Sequence, residues 1–539
     1  MVYTSKYPPV EIPDEDVYTV VLGTLSEDDR ERVAVTDGTA ALTYGELKSQ
    51  ADAFAGALAA RGIAPGDVIA LQIPNSPAFV TAFFGVLRAG ATVTTINTLY
   101  SPSEIAKQLA DSKTKMYVTI SALLSNALAG ATDAGLDTEH VIVLDGAEGH
   151  ASLADLVGEG RVAPQVTVDP DVALAALPYS SGTTGMAKGV MLTHRNLVAN
   201  IMQTAASIDL SPGDRVMGVL PFFHIYGMNC IMNVALYRRA TLVTMAKMDL
   251  QTFLEQIAAE RITHLYIAPP IAVGLAKHPM VDDYDLSSVR QILTGAAPLD
   301  EALGKALLKR VPAQLMQGFG MTELSPLSHI TPLEDDRISF GSVGIAVPNV
   351  EFKVVDVETG EEVPDVPGGR TRSGEMLVRG PNVMRGYLGN ESATAVTITP
   401  DGWLHTGDIV EVGPRQEVYV VDRLKELIKY KGYQVPPAEL EALLLTHPAI
   451  ADAAVVAHPD EAAGEIPRAF IALQAEAHAT SDEIIDWVRE RIAPHKRIRM
   501  VDFVDAIPKS SSGKILRKEL KGRSAILRSS TPLTEETSQ

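Results

Sequence analysis

Tyr179-Ser180-Ser181-Gly182-Thr183-Thr184-Gly185-Met186-Ala187-Lys188-Gly189-Val190-Met191 is the stretch on which the reading of this chain turns. Hydroxyls, glycines and a lysine crowd between two apolar runs, Ala173–Pro178 before and Val190–Leu192 after. Glycines let backbone N–H groups turn inward and approach an anion closely. Hydroxyls add donors and Lys188 adds a full positive charge, so the loop suits a polyphosphate. It is not a Walker A loop, which needs Gly-Lys-Ser/Thr, because Ala187 precedes Lys188. A flexible Ser/Gly linker shares this composition. The apolar flanks favour a phosphate-holding loop between two core elements.

Outward from this loop, apolar strand-like runs alternate with amphipathic helical ones. Asp67–Ile73 and Thr92–Ile96 flank a helix-like Ala78–Arg88, and Ala240–Met245 and His264–Ala268 flank Leu250–Glu260. That rhythm predicts an α/β fold of layered subdomains with mostly parallel sheet. Between Val350 and Tyr387 strand-like runs crowd together with Gly and Pro turns, as in a small β-rich section. Past a charged stretch at Asp422–Lys425 the pattern becomes helix Pro437–Leu445, strands Ala451–Ala457 and Arg468–Gln474, helix Ser481–Ile492 and strand Met500–Val504. This predicts a smaller, mobile α+β domain. The expected division is 1–422, a hinge at 423–426, and 427–539.

The 539 residues suffice for at least two domains with a large core. A net charge of −21 disfavours nucleic acid and anionic membrane surfaces as general partners, but not a locally held anion. The one cysteine, Cys230, excludes an intrachain disulfide framework and a multi-cysteine metal site, and fits a reducing cytoplasm. The N-terminus lacks a basic start followed by an apolar core, so no signal peptide is expected. Val216–Tyr237 lacks Asp, Glu, Lys and Arg and is long enough to mimic a membrane span. Pro221, His224, Gly227, Asn229 and Asn233 interrupt it, so buried core beside a pocket is expected and integral membrane association is not.

Several further stretches carry chemistry. Pro221–Gly227 sets His224 among aromatics, where a histidine is either a satisfied core residue or a site residue; zinc is not expected, because no second ligand stands at the right spacing. Thr294–Pro298 is a small-residue turn after an apolar run, either a tight connection or a backbone surface for a flat heterocycle. Gln317-Gly318-Phe319-Gly320-Met321-Thr322-Glu323 combines two glycines with a hydroxyl and a carboxylate: either Thr322 donates to a phosphate and Glu323 holds Mg²⁺, or the stretch is only a turn followed by a helix cap. Asp401–Asp408 ends in a carboxylate able to accept from ribose hydroxyls, and Arg423 can reach the same sugar. Pro508–Ile515 is a second Ser/Gly/Lys loop, with Lys514 at its end.

Tyr179–Met191, Gln317–Glu323, Gly402–Asp408, Asp422–Gly432 and Pro508–Lys514, in this order, resemble the motifs of the adenylate-forming superfamily, which includes acyl-CoA synthetases, luciferases and peptide-synthetase adenylation domains. The resemblance runs from about Ser5 to Leu520 and is most like the 4-coumarate–CoA ligase group. It implies a carboxylic acid attacking the ATP α-phosphate to give acyl-adenylate and pyrophosphate, then coenzyme A displacing AMP. By this resemblance Ser180, Ser181, Gly182, Thr183, Thr184 and Lys188 hold the β- and γ-phosphates. Thr322 binds the α-phosphate and Glu323 the Mg²⁺. Gly295, Ala296, Ala297, Gly318 and Phe319 surround adenine, and Asp408 and Arg423 fix the ribose. Lys514 bridges the acid and the α-phosphate, and His224 lies beside the reacting carboxyl. Lys425 is the hinge, and Lys429, Lys431, Gly432 and Gln434 serve the thioester step. Ile225, Tyr226, Asn229, Tyr266, Leu293, Ala296, Pro326 and Leu327 line the acyl pocket.

Ala187 and Phe319 stand where that superfamily more often has proline and tyrosine, but no charged catalytic group is missing. The pocket has no aspartate near Phe223–Tyr226 to pair an amino-acid ammonium. A cinnamic acid such as 4-coumarate is the expected substrate. A medium- or long-chain fatty acid, transfer of the acyl group to a carrier protein, and luciferase-like oxygenation stay open as alternatives.

Overall fold

The computed structural model describes residues 1–180, 187–295, 299, 301–333, 340–431, 433–460, 463–475, 477–510 and 514–521. By internal contacts the chain divides into an N-terminal unit, Met1–Thr406 with Val410–Val420, and a C-terminal unit, Gly407–Ile409 with Val421–Gln539.

The N-terminal unit is built on two large mixed sheets. One runs, edge to edge, through Gly386–Tyr387, Lys188–Thr193, Leu174–Ala176, Thr92–Thr95, Val68–Leu71, Met116–Thr119 and Val141–Val143, with Tyr179–Ser180 paired onto Lys188–Thr193. Its middle strands are parallel and Lys188–Thr193 is antiparallel to its neighbours. Thr92–Thr95 is buried at every position, as a strand covered on both faces must be. Helix Pro77–Arg88 makes the crossover between Val68–Leu71 and Thr92–Thr95. Ser76 caps it by accepting from Phe79 N, and Pro77 occupies the first turn, where no N–H is needed.

The other large sheet runs through Ile345–Ala346, Leu327–Ile330, Gln314–Gly320, Gln291–Thr294, His264–Ile267, Arg215–Gly218, Thr241–Thr244, Val33–Thr36 and Ala41–Thr43. Val216–Tyr237 is largely buried within this unit, with Pro221, Phe223, His224, Tyr226 and Tyr237 partly exposed, and carries a π-helical turn, Tyr226–Asn233. No helix of the described residues is long and apolar enough to cross a membrane.

The fold is α/β with a large N-terminal and a smaller C-terminal unit, as expected, with two differences of detail. The β-rich section is wider than Val350–Tyr387: Val2–Thr4 pairs antiparallel with Glu351–Val355 at one edge, and Leu404–Val412 and Val418–Arg423 continue the sheet at the other. Gln317–Gly320 is not a turn but the end of strand Gln314–Gly320, paired with Gln291–Thr294 on one side and Leu327–Ile330 on the other.

In the C-terminal unit a sheet of Tyr433–Val435, Ile428–Tyr430, Gly464–Leu473 and Ile450–Asp460, with Met500–Phe503 along Gly464–Leu473, is covered by helices Pro437–Leu445 and Ser481–Arg489. Leu440, Leu444, Ile484 and Val488 pack onto Val455 and Ile471.

Candidate active site

The hydroxyl- and glycine-rich loop is anchored at both ends by one antiparallel pairing, Lys188 opposite Ser180 and Gly189 opposite Tyr179. Ser181, Gly182, Thr183 and Thr184 lie outside the described residues. On its other edge the same strand pairs Val190 with Tyr387. The Lys188 ammonium therefore sits over the Tyr387 ring, 4.6 Å from its centre. The Tyr387 hydroxyl donates to Glu323 Oε1 at 2.9 Å. Burial, with the Glu323 carboxylate beside it, pushes the Tyr387 phenol up, so it stays a proton donor. A cation and a buried carboxylate are thus held on the two sides of one tyrosine.

Glu323 lies in a short 3₁₀ turn, Thr322–Leu324, after strand Gln314–Gly320. The chain doubles back tightly here: a Cβ on Gly320 would lie 2.4 Å from the Pro326 carbonyl oxygen. Ser325 takes a left-handed conformation, φ 71°, uncommon for a residue with a Cβ. Buried asparagine amides hold the turn. Asn382 donates to Leu324 O at 2.9 Å, Asn229 to Ser325 O at 2.7 Å, and Asn200 to Leu327 O at 2.7 Å while accepting from Leu327 N. Each satisfies a backbone group that the turn leaves without a ladder partner. Tyr387, Asn200 and Asn382 were not picked out from the sequence. Their partners are backbone groups and a carboxylate far away in the chain, and no local pattern announces them.

The expected acyl-pocket residues converge in the same unit. Tyr226 donates to Leu293 O at 3.2 Å, and a Cβ on Gly295 would touch the Tyr226 ring at 3.1 Å. A Cβ on Gly318 would lie 3.0 Å from Leu327 Cδ1 and 3.6 Å from Leu293 Cδ1. Tyr266 stands beside Leu293 in the parallel register. Glycines at 295 and 318 thus let Tyr226, Leu293 and Leu327 pack directly against the backbone, where a Cβ would crowd them. Ile225 is buried, and Asn229 both closes the turn at Ser325 and accepts from Asn233. Pro326 is buried in the turn. Phe319 packs edge-on against His329. His224 opens the π-helical segment, its Nδ1 accepting from Tyr226 N at 3.3 Å. Ala296 and Ala297 lie outside the described residues.

The remaining expected residues belong to the C-terminal unit. Asp408, 4 % exposed, pairs with Arg423 Nε at 3.2 Å. Burial pushes its carboxyl up to about 6, with Arg423 and then Lys514 opposing. Lys514 accepts no charge of its own sign easily: burial, then Arg423, pull its ammonium down to about 8, while Glu426 and Asp408 hold it up. Its backbone is fixed by Ser510, whose N donates to Lys514 O at 2.8 Å and whose Oγ accepts from Lys514 N at 3.1 Å. Arg517, three residues on, spans Glu426 at 3.2 Å and both oxygens of Glu441 at 2.7 Å. Asp408, Arg423, Glu426, Lys514 and Arg517 are therefore one charged cluster, of which Glu426 and Arg517 were not anticipated. Lys425 is exposed in the turn of this connector. Lys429 and Lys431 are exposed on a separate hairpin, where Lys429 pairs opposite Gln434 and Lys431 opens the turn at φ 48°. Gly432 and the Gln434 side chain lie outside the described residues.

Among the described residues no group of three or more His, Cys, Asp or Glu side chains is gathered as for a metal ion. The single buried Glu323 carboxylate fits Mg²⁺ differently, because that ion is ordinarily held by one or two carboxylates together with substrate phosphates.

The fold and the family matches make this an adenylate-forming protein. The chain belongs to the AMP-binding enzyme family, whose model matches residues 25–388, with the AMP-binding enzyme C-terminal domain at residues 439–514. It is 41% identical over 538 residues to 4-coumarate–CoA ligase 2 of Nicotiana tabacum, covering 97% of each chain. It is likewise 41% identical over 541 residues to a 4-coumarate–CoA ligase of Pinus taeda, covering 97% of this chain and 98% of that one. Among solved structures, an anthranilate CoA ligase in complex with anthranoyl-AMP matches with a TM-score of 0.86 and 26% identity over 94% of this chain and 97% of that one. ATP-bound MatB of Rhodopseudomonas palustris matches with a TM-score of 0.85 and 28% identity over 94% and 98%.

Proposed function

We propose that this chain is an AMP-forming acid–CoA ligase for 4-coumarate or a related cinnamic acid. The observation that carries the reading is Lys188 and Glu323 on the two sides of Tyr387, at the anchored end of the hydroxyl- and glycine-rich loop. A cation and a buried hard-oxygen donor that share Tyr387 suit the phosphates of ATP and their Mg²⁺.

In this reading Ser180, Ser181, Gly182, Thr183, Thr184 and Lys188 bind the β- and γ-phosphates. Gly295, Ala296, Ala297, Gly318 and Phe319 hold adenine, and Asp408 and Arg423 the ribose. Glu323 is the Mg²⁺ ligand, oriented by the Tyr387 hydroxyl; the ion, when bound, neutralises phosphate charge. Thr322 donates to the α-phosphate. Lys514 stabilises the charge that develops as the substrate carboxylate attacks phosphorus and pyrophosphate leaves. His224 flanks that carboxyl. The C-terminal unit then turns about Lys425, and Lys429, Lys431, Gly432 and Gln434 serve attack of the CoA thiol on the acyl carbon, with AMP leaving. The acid lies among Ile225, Tyr226, Asn229, Tyr266, Leu293, Pro326 and Leu327. The reaction needs no disulfide and suits the cytoplasm.

The test is a panel of acids with ATP and CoA, read as AMP release and as thioester mass. Coumaroyl-CoA and cinnamoyl-CoA are the expected products. Octanoyl- or palmitoyl-CoA as the main product would make the chain a fatty acid–CoA ligase, and AMP release without thioester would point to a carrier-protein acceptor.

A further inference from the structure

Arg517 engages every nitrogen of its guanidinium within the C-terminal unit. Nη2 donates to both oxygens of Glu441 at 2.7 Å, Nη1 lies 3.2 Å from Glu426, and Nε donates to Val455 O at 3.3 Å. The Arg517, Glu441 and Glu426 side chains are 13%, 10% and 19% exposed, so water screens these pairs little. A planar fork meets such a three-way demand, and a lysine point charge does not. Arg517 opens helix Arg517–Lys521, whose Leu520 is buried with Val456 and Phe470. Just before it, Lys509 and Ile515 form an antiparallel bridge, and Leu516 N donates to Pro508 O at 2.9 Å. With the two bonds between Lys514 and Ser510, the backbone that carries Lys514 is closed onto itself. Arg517 is the next charged residue after Lys514 and ties that backbone to two acids. One acid is scaffold: Glu441 lies on helix Pro437–Leu445, and its Oε1 accepts from Val455 N at 2.7 Å. The other, Glu426, directly follows Lys425 in the connector. Anchoring the helix needs only Glu441, so the link to Glu426 asks for a second reason.

We propose that Arg517 is a positioning residue for adenylation, which seats Lys514 by tying its loop to Glu426 of the connector. This rests on the role given to Lys514 above. A flexible lysine side chain gains from a backbone fixed relative to its neighbours, because rate falls steeply with misplacement of a reacting group. Arg517 also occupies the Glu426 carboxylate, one of the two acids that support the Lys514 ammonium; the other is Asp408, itself paired with Arg423. The same link thus sets both the place of Lys514 and the charge around it.

Glu426→Gln cuts the tie to the connector and leaves Arg517 on Glu441 and Val455, so the melting temperature should hold. Arg517→Gln cuts the tie from the other side and strips the buried Glu441 of its cation, so that variant should melt lower. Pyrophosphate exchange and thioester formation from supplied acyl-adenylate should be measured on each variant and on the double variant. Their ratio does not depend on the folded fraction. In each single variant it should fall by roughly tenfold or more, with the loss in kcat rather than in KM. The double variant should lose no more than Arg517→Gln alone, because both changes break one link. The alkaline limb of adenylation should move to lower pH in Glu426→Gln, which removes a carboxylate near Lys514. It should move to higher pH in Arg517→Gln, which removes a cation and frees that carboxylate. Losses that multiply in the double variant, losses shared equally by both half-reactions, or an alkaline limb that neither change moves overturn the positioning role and leave the ligase reading standing. An unmodified chain that exchanges no pyrophosphate with any acid overturns the adenylation reading itself, and this inference with it.

Discussion

Glu323, in the N-terminal unit, is held by neutral groups, whereas Lys514, in the C-terminal unit, is held among formal charges. A phenol donates to Glu323 and asparagine amides fix its turn through backbone carbonyls. None of these groups titrates in the working range of an enzyme. Lys514 faces Arg423, Glu426, Asp408 and Arg517, and burial has already drawn its ammonium down to about 8. Neutral dipoles make a template whose charge does not depend on pH. A cluster of charges makes a site that can be adjusted, because each member shifts the others. In the proposed function the first serves a metal-binding carboxylate, and the second a cation needed in only one of two half-reactions.

The contrast breaks most decisively at Lys514. Lys514→Ala should lower adenylate formation by roughly 10²-fold or more, the usual scale for one transition-state charge contact. Reaction of CoA with supplied acyl-adenylate should persist, because the proposed function assigns Lys429 and Lys431, not Lys514, to that step. Pyrophosphate exchange and thioester yield, measured separately, check this, and an equal loss in both half-reactions sinks the assignment.

Lys425→Pro asks whether the charged cluster belongs to one state only. Proline fixes φ near −65°, so a pivot that must change φ and ψ is locked. Adenylation should survive and thioester formation fail, in a protein that still folds, because Lys425 is exposed in a turn. Parallel loss of both activities, or of neither, would move the pivot elsewhere.

Tyr387→Phe sharpens the other side of the comparison. It keeps the ring beneath Lys188 and deletes the donor to Glu323. Hydrogen bonds to charged groups contribute about 1.5–3 kcal/mol, so the apparent Mg²⁺ requirement should rise by roughly tenfold or more with Lys188 unaltered. An unchanged magnesium titration of adenylate formation would show that Tyr387 orients nothing that the metal needs.

The sequence foretold helix Pro437–Leu445 to the residue, and it singled out Lys188, Glu323 and Lys514 as candidates. These rest on local signals: a charge beside glycines, or a proline followed by an apolar face. What stayed hidden depends on partners distant in the chain. Val2–Thr4 is too short to announce itself, and becomes a strand only because Glu351–Val355 accepts it. Gln317–Gly320 looked like a turn because glycines usually mark one; here Gly320 is a strand residue that lets the Pro326 carbonyl approach. Glu426 and Arg517 look like ordinary surface charges in sequence, and only the folded unit brings both to Lys514.

The smallest expected effect separates charge from fold. In the free enzyme Lys514 must carry its proton to stabilise the adenylation transition state, so kcat/KM for adenylation should decline as pH rises through about 8. Near that value the loss is about twofold for the first unit of pH and steeper beyond. Stability should move the other way. The folded lysine releases its proton near 8 while the unfolded one keeps it to about 10.4, so between these values the unfolded chain binds more protons and folding is favoured as pH rises. The comparison to make is with Lys514→Met, which removes the titrating group: the unmodified chain should gain on the variant in denaturant midpoint between pH 8 and 10. No group around Glu323 is expected to produce such opposed trends, because its partners are neutral. A flat adenylation profile up to pH 9, or a denaturant midpoint that falls relative to Lys514→Met over the same window, would place Lys514 outside the charged cluster's influence and remove the distinction between the two settings.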